Sequence, residues 1–389
     1  MTSRSSRAVG RVLVGCVAGT EWDATTSDLD HLVRGADLGM LPSAAAFHGV
    51  AGCVHRRLRD HPILPVTVAD DLTATYHRAR LTHLQALADL ARLASVLDAL
   101  GTPWLTVKGP VLAERAYPRP DLRGYTDLDI VVPRRAVGRA LVELEAIGAR
   151  VLDLNWDLLA RTRSAEVHVA LGNTVVDLHW HLFNIGELRG EFPISMAELY
   201  ERAPRVELPT CRVPTLDRAD TALHLGVHGC LSGANRLVWL KDIEQATAGE
   251  DFPWDELVAR TRMARAGLPV ASMLRTAHDV IGTPVPDEII RELAGSEAWP
   301  RLVAGAARAC HPERTAGRRS PLRLVARSTR RDFGASAAAL ARRSWAGAHD
   351  PRSAWPDVGP SDPDDPNAAS HAAGDRSDFL ASVTGDSAW

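Results

Sequence analysis

Arg123-Gly124-Tyr125-Thr126-Asp127-Leu128-Asp129-Ile130-Val131-Val132 is the stretch on which the reading of this 389-residue chain turns. It has the apolar, β-branched character of a strand with two acids set into its start. Strand side chains alternate faces, so Asp127 and Asp129 project from one side while Leu128 and Ile130 face the other. Further on, Thr174-Val175-Val176-Asp177-Leu178-His179-Trp180-His181 repeats the pattern. There Asp177, His179 and His181 share a face opposite Leu178 and Trp180. Three carboxylates on neighbouring strands suit Mg²⁺, which prefers hard oxygen ligands and binds through few carboxylates plus substrate phosphates. That chemistry fits phosphoryl or nucleotidyl transfer.

The segment ahead of the acids adds to this. Trp104-Leu105-Thr106-Val107-Lys108-Gly109 reads as a short buried strand ending in glycine, and 110–117 as a helix with proline in its first turn. Strand, glycine and helix start form an anion-binding arrangement, because unpaired backbone N–H groups and the positive dipole end meet a phosphate. Lys108 adds a point charge there.

Lys108-Gly109, then Arg123 ahead of Asp127-Leu128-Asp129, then Asp177-Leu178-His179-Trp180, resemble in order the uncharacterised bacterial nucleotidyltransferase family of the DNA polymerase β-like superfamily. The likeness spans most of residues 25 to 300. One departure is that the wider superfamily ends its first strand in Gly-Ser, where this chain has Gly109-Pro110. The resemblance implies an α+β protein: a polymerase β-like nucleotidyltransferase core, a small mixed sheet with helices, flanked by N- and C-terminal helical regions. It implies Asp127, Asp129 and Asp177 as catalytic metal ligands for Mg²⁺. It also implies Lys108, Gly109, Arg123 and His179 as contacts to an NTP, expected to be ATP. The reaction would move a nucleoside monophosphate to an acceptor hydroxyl on a small molecule, peptide or protein.

Composition sets the outer bounds. The length holds two or three domains, and a formal net charge of −3 gives no general pull toward nucleic acid or anionic membrane. Nucleic acid and membrane are therefore not expected partners. The five cysteines are dispersed without Cys-x-x-Cys spacing, which points to thiols in a reducing cytoplasm. No run approaches the ~18 apolar residues of a membrane span. Of 45 Lys plus Arg, only Lys108 and Lys241 are lysine. Lys108 falls beside the candidate site; Lys241 reads as an exposed helical lysine.

Along the chain, 1–25 reads as a flexible leader, interrupted by Arg11, and 26–100 as an N-terminal helical region. Within the latter, the small residues of 47–52 suit close approach. Residues 101–185 form the core, with a helix after Pro133 and two alternating stretches, 166–171 and 174–182, around the turn signal Gly172-Asn173. Residues 186–310 form a C-terminal helical domain. Residues 311–345 are an arginine-rich segment, partly helical near 335–343, and 346–389, rich in aspartate and proline, a disordered tail.

Arg123 suits bidentate contact to a triphosphate or to a carboxylate. Asp220, His224 and His228 share one helix face, without the motif a zinc site needs. Two other classes compete with the transferase. A glycosyltransferase also uses Asp-x-Asp, but after a βαβ region, and here the preceding residues are helical. A non-catalytic nucleotide- or partner-binding protein on a degenerate nucleotidyltransferase scaffold accommodates Gly109-Pro110.

Overall fold

Five short strands carry the acids: β1 (Leu105–Val107), β2 (Asp127–Val131), β3 (Arg150–Val151), β4 (Glu166–Leu171) and β5 (Thr174–His179). In the computed structural model, which describes residues 4–19, 27–309, 320–349 and 374–385, they lie in the order β1-β2-β5-β4-β3. β2 and β5 run parallel, and every other pair is antiparallel. The β4–β5 hairpin turns at Gly172-Asn173, with Gly172 at φ 60°, a region glycine enters without steric cost. The architecture is α+β, a mixed sheet with flanking helices, as expected for a nucleotidyltransferase core.

Period-two alternation explains the sheet's two faces. Leu128, Ile130, Val167, Val169, Val176 and Leu178 are all at most 1% exposed and make one face apolar except for the buried Thr106 beside Ile130. On the other face, Leu105, Val107 and Val131 pack with Leu199 and Leu216. The acids occupy the rest of that face.

Two compact units account for the chain. One comprises Met1–His83, Ala113–Tyr125 and Ala222–Ser344; the other comprises Leu84–Leu112, Thr126–Thr221 and Trp345–Trp389. The sheet belongs to the second. The first is helical. In it, Gly52 sits where a β-carbon would lie 1.8 Å from the Asp121 carbonyl oxygen, so only glycine fits. Gly124 N–H donates to the Gly49 carbonyl at 2.9 Å, and Val238 N–H to that of His48 at 3.1 Å. The small-residue stretch 47–52 thus admits backbone at close range.

Three expectations are corrected, and the helix expected near 335–343 is found and extended. Residues 4–17 of the leader form a helix, with Val9, Val12, Leu13 and Cys16 fully buried; Arg11 breaks the apolar run in sequence but points outward. The tail contains a helix, Arg376–Thr384, started by Asp375, whose carboxylate accepts from the N–H groups of Ser377 and Asp378. Its Phe379 and Val383, one turn apart, are buried, and Phe379 lies against the rings of Trp156 and Trp180. Arg376 also meets both Glu145 oxygens, at 2.7 and 2.8 Å. An i,i+4 apolar pair behind a good cap outweighs the polar composition around it. Residues 350–373, also expected to be structureless, lie outside the described residues.

The arginine-rich segment forms helices Pro321–Arg327 and Phe333–His349, with Arg323, Arg330 and Arg343 buried; residues 310–319 lie outside the described residues. Arg330 Nη1 donates to the carbonyls of Arg327 and Thr329, which satisfies a helix end from within. Lys241 is fully buried, its ammonium bonded to Glu244 and to the Gly19 carbonyl.

Candidate metal centre

Strand register assembles the centre. β2 and β5 run side by side with Asp129 opposite Asp177, and β4 returns with His168 opposite Asp177 and Glu166 opposite His179. Adjacent strands stand about 4.8 Å apart, so these side chains come within reach of one another on one face. Asp127, at the first residue of β2, shares that face and is partly exposed.

Lys108 enters from the turn after β1. Its φ of 50° and that of Gly109, 38°, place both residues in the left-handed region. For a lysine this backbone costs on the order of 1–3 kcal/mol. It delivers the ammonium to within 2.8 Å of Asp129 Oδ1. The following helix, Gly109–Arg115, starts one residue earlier and ends two residues sooner than the expected 110–117.

The two facing aspartates are held in opposite states. Burial alone would raise both. At Asp129 the Lys108 charge and a hydrogen bond from His179 outweigh burial and hold the carboxyl far below the usual carboxylate range. At Asp177, burial together with repulsion from Asp127 and Glu166 pushes the carboxyl up to about 8. Asp177 Oδ1 has no hydrogen-bond partner, and His168 Nε2 stands 3.8 Å away. Glu166, with a side chain only 4% exposed, likewise has Oε1 without a hydrogen-bond partner. The face is short of positive charge.

Histidines flank the acids. His179 lies with Nε2 3.2 Å from Asp129 Oδ1 and Nδ1 3.2 Å from Glu166 Oε2. His168 lies with Nδ1 2.9 Å from Asp153 Oδ2, which also accepts its backbone N–H at 2.6 Å. Burial alone would lower the His168 imidazole, but the surrounding carboxylates, Asp153 and Glu166 foremost, raise it to about 10. Among the described residues, Asp129, Asp177 and His179 each offer a ligand atom, all within 4.8 Å of one another. Orphaned buried oxygens beside that trio fit a divalent cation, since buried charge without a partner is costly.

Lys108, Gly109, Asp127, Asp129, Asp177 and His179 therefore lie along one turn and one sheet face. Gly109 sits against the start of β2, where a β-carbon would be 3.5 Å from the Asp127 carbonyl oxygen. Arg123 belongs to the helical unit and is bound to Asp242, through Nε at 2.7 Å and Nη2 at 2.8 Å. The Tyr117 hydroxyl donates to the same carboxylate at 2.7 Å. His181 lies beyond the end of β5, accepts from Phe183 N–H, and is pushed down to about 3 by burial and by Arg189. Asp220 is held by Arg202 Nε and Nη2 at 2.5 and 3.0 Å.

Glu166, His168 and Asp153 are site residues that the sequence reading passes over. A signal for the first two was present. The two-residue turn at Gly172-Asn173 pairs Leu171 with Thr174, and counting back from it sets His168 beside Asp177 and Glu166 beside His179. Asp153 lies in the loop after β3, where no periodicity applies.

A family model described as an uncharacterised nucleotidyltransferase matches residues 35–282, well over half of the chain. No curated protein matches it.

Proposed function

The chain belongs to the uncharacterised nucleotidyltransferase family, and we propose that it moves a nucleoside monophosphate from an NTP, ATP first among candidates, to an acceptor hydroxyl with a divalent cation. The observation that carries this reading is the facing pair Asp129 and Asp177 on parallel strands, with His179 beside them and buried oxygens of Asp177 and Glu166 left without a hydrogen bond. When bound, such an ion polarises phosphoryl oxygens and lowers the pKa of an attacking hydroxyl. Mg²⁺ is the ion that the three-acid expectation names.

Asp129, Asp177 and His179 would hold the ion. Asp127 lends negative charge at the open end of the face, where its effect on both Lys108 and Asp177 is felt. Lys108 neutralises Asp129 and would meet the triphosphate. Its ammonium stays protonated because the attraction of Asp129 and Asp127 outweighs burial. The acceptor oxygen would bond to the α-phosphorus as the bond to the β-phosphate oxygen breaks. Pyrophosphate leaves, and the hydroxyl proton is released.

A second reading has one observation in its favour. Lys108 is already seated on Asp129, an arrangement that also suits a binding protein with no turnover. An α-labelled NTP panel, run with small-molecule, peptide and protein hydroxyls, separates the two. Transfer of label with release of pyrophosphate supports the transferase; saturable nucleotide binding without transfer supports the scaffold.

A cytoplasmic location belongs to the same proposal. Cys16, Cys53, Cys211 and Cys230 are free thiols, and among the described residues no helix is long and apolar enough to cross a membrane.

A further inference from the structure

We infer that His179 and Glu166 make the centre selective for a borderline first-row ion of the Fe²⁺-to-Zn²⁺ series over Mg²⁺, with His179 Nε2 as a ligand and Glu166 holding the Nδ1 proton. The inference rests on the cation-dependent reading above and gives the ion a chemical class.

The donor set is the first argument. The three ligand atoms within 4.8 Å of one another are two carboxylate oxygens and one imidazole nitrogen. Mg²⁺ takes oxygen ligands and gives up its waters reluctantly. An imidazole nitrogen suits the softer first-row ions.

Orientation of the ring is the second. A histidine that binds a metal through one nitrogen almost always donates the other N–H to a carboxylate, a carbonyl or a water. His179 has this arrangement: Nδ1 is 3.2 Å from Glu166 Oε2, and Nε2 points to the Asp129 carboxylate at 3.2 Å. Nε2 now donates to Asp129; an ion bound there would take the place of that proton, while the Nδ1 proton stays directed to Glu166.

Glu166 is itself braced. It is buried on β4, directly across the ladder from His179. Its second oxygen, which has no hydrogen-bond partner, lies 3.5 Å from His168 Nε2, and Asp153 holds His168 from its other nitrogen. A chain Asp153–His168–Glu166–His179 therefore runs across two strands and ends at the centre. Glu166 is a positioning residue in this scheme.

The test uses the whole chain, stripped of metal by chelation, and calorimetric titration with Co²⁺ and with Mg²⁺. Wild type should bind Co²⁺ well above Mg²⁺, and bound Co²⁺ should show the visible absorption of mixed nitrogen and oxygen ligation. His179→Asp keeps three ligands but makes all of them oxygen, so the Co²⁺-to-Mg²⁺ affinity ratio should fall at least about tenfold. Glu166→Gln keeps the bulk and should weaken Co²⁺ by about 10–100-fold, the usual cost of losing such an outer partner. An all-oxygen Co²⁺ spectrum on wild type overturns the inference, even if His179→Asp fails to fold. So does an equal affinity ratio in wild type and His179→Asp. In either case Mg²⁺-supported label transfer would leave the transferase reading standing. If no divalent ion binds wild type, both readings fall together.

Discussion

Arg123→Ala separates a structural ion pair from a phosphate contact. The Arg123 and Asp242 side chains are 5% and 0% exposed and share two short hydrogen bonds. Without the guanidinium, the carboxylate keeps the Tyr117 hydroxyl but loses the charge that balances it. Breaking a buried pair from one side costs about 3–5 kcal/mol. At roughly 2–4 °C per kcal/mol for a unit of about 150–250 residues, the melting temperature should fall by roughly 6–20 °C. Asp242→Asn, which strands the guanidinium, should fall within the same range. The double change Arg123→Met with Asp242→Leu should recover most of the loss, because well-packed apolar residues replace buried pairs at little cost. Thermal unfolding by far-ultraviolet circular dichroism reads the stability, and an NTP titration at a temperature where all variants are folded reads the affinity. If Arg123→Ala melts with wild type yet loses NTP affinity, the ion-pair argument is refuted and Arg123 is a nucleotide contact.

Asp129→Asn should lower label transfer by about a thousandfold or more while circular dichroism stays unchanged; near-normal turnover would remove Asp129 from the centre. Lys108→Ala should weaken NTP binding, whereas Lys241→Ala should lower the melting temperature and leave NTP affinity alone, because Lys241 is buried on Glu244. Phe379→Ala should destabilise the sheet unit by up to about 3–5 kcal/mol, and limited proteolysis should then open 374–385 first; a melt equal to wild type would show that the helix contributes nothing. Asp177, raised to about 8, and His168, raised to about 10, both bind protons more tightly folded than unfolded. Their stabilisation is complete at low pH; that of Asp177 is lost from about pH 4 up to its folded value, and that of His168 between about pH 6.5 and its own. Metal-free protein should therefore melt lower at pH 9 than at pH 6.5, and a rise over that interval would contradict the charge balance described for the face.

Much of the sheet was readable in the chain because period-two alternation is a local signal. Asp127, Asp129, Asp177 and His179 fall on one face, and the Gly172-Asn173 turn sits where the residues announce it. What escaped reading was non-local or too short to show a period. Asp242 lies 119 residues from its partner Arg123, and nothing near Arg123 discloses it. The helix Arg376–Thr384 offers one apolar pair in a polar stretch, so composition speaks for disorder until Trp156 and Trp180 supply the other half of the contact. The burial of Lys241 is non-local too: Glu244 is one turn away, but the Gly19 carbonyl that its ammonium also meets is 222 residues distant.

Each unit is stitched from three separated stretches, and that has a consequence for synthesis. The strands are complete once Thr221 has emerged, yet Trp156 and Trp180 wait for Phe379 to cover them. Roughly 150 residues intervene, so at about 5–20 residues per second the aromatic patch stays open for roughly 8–30 s. In that interval the nascent chain carries a finished sheet with an apolar opening, a natural place for a chaperone to hold. Released chains that end before Arg376 should be more readily captured there than chains that carry Arg376–Thr384.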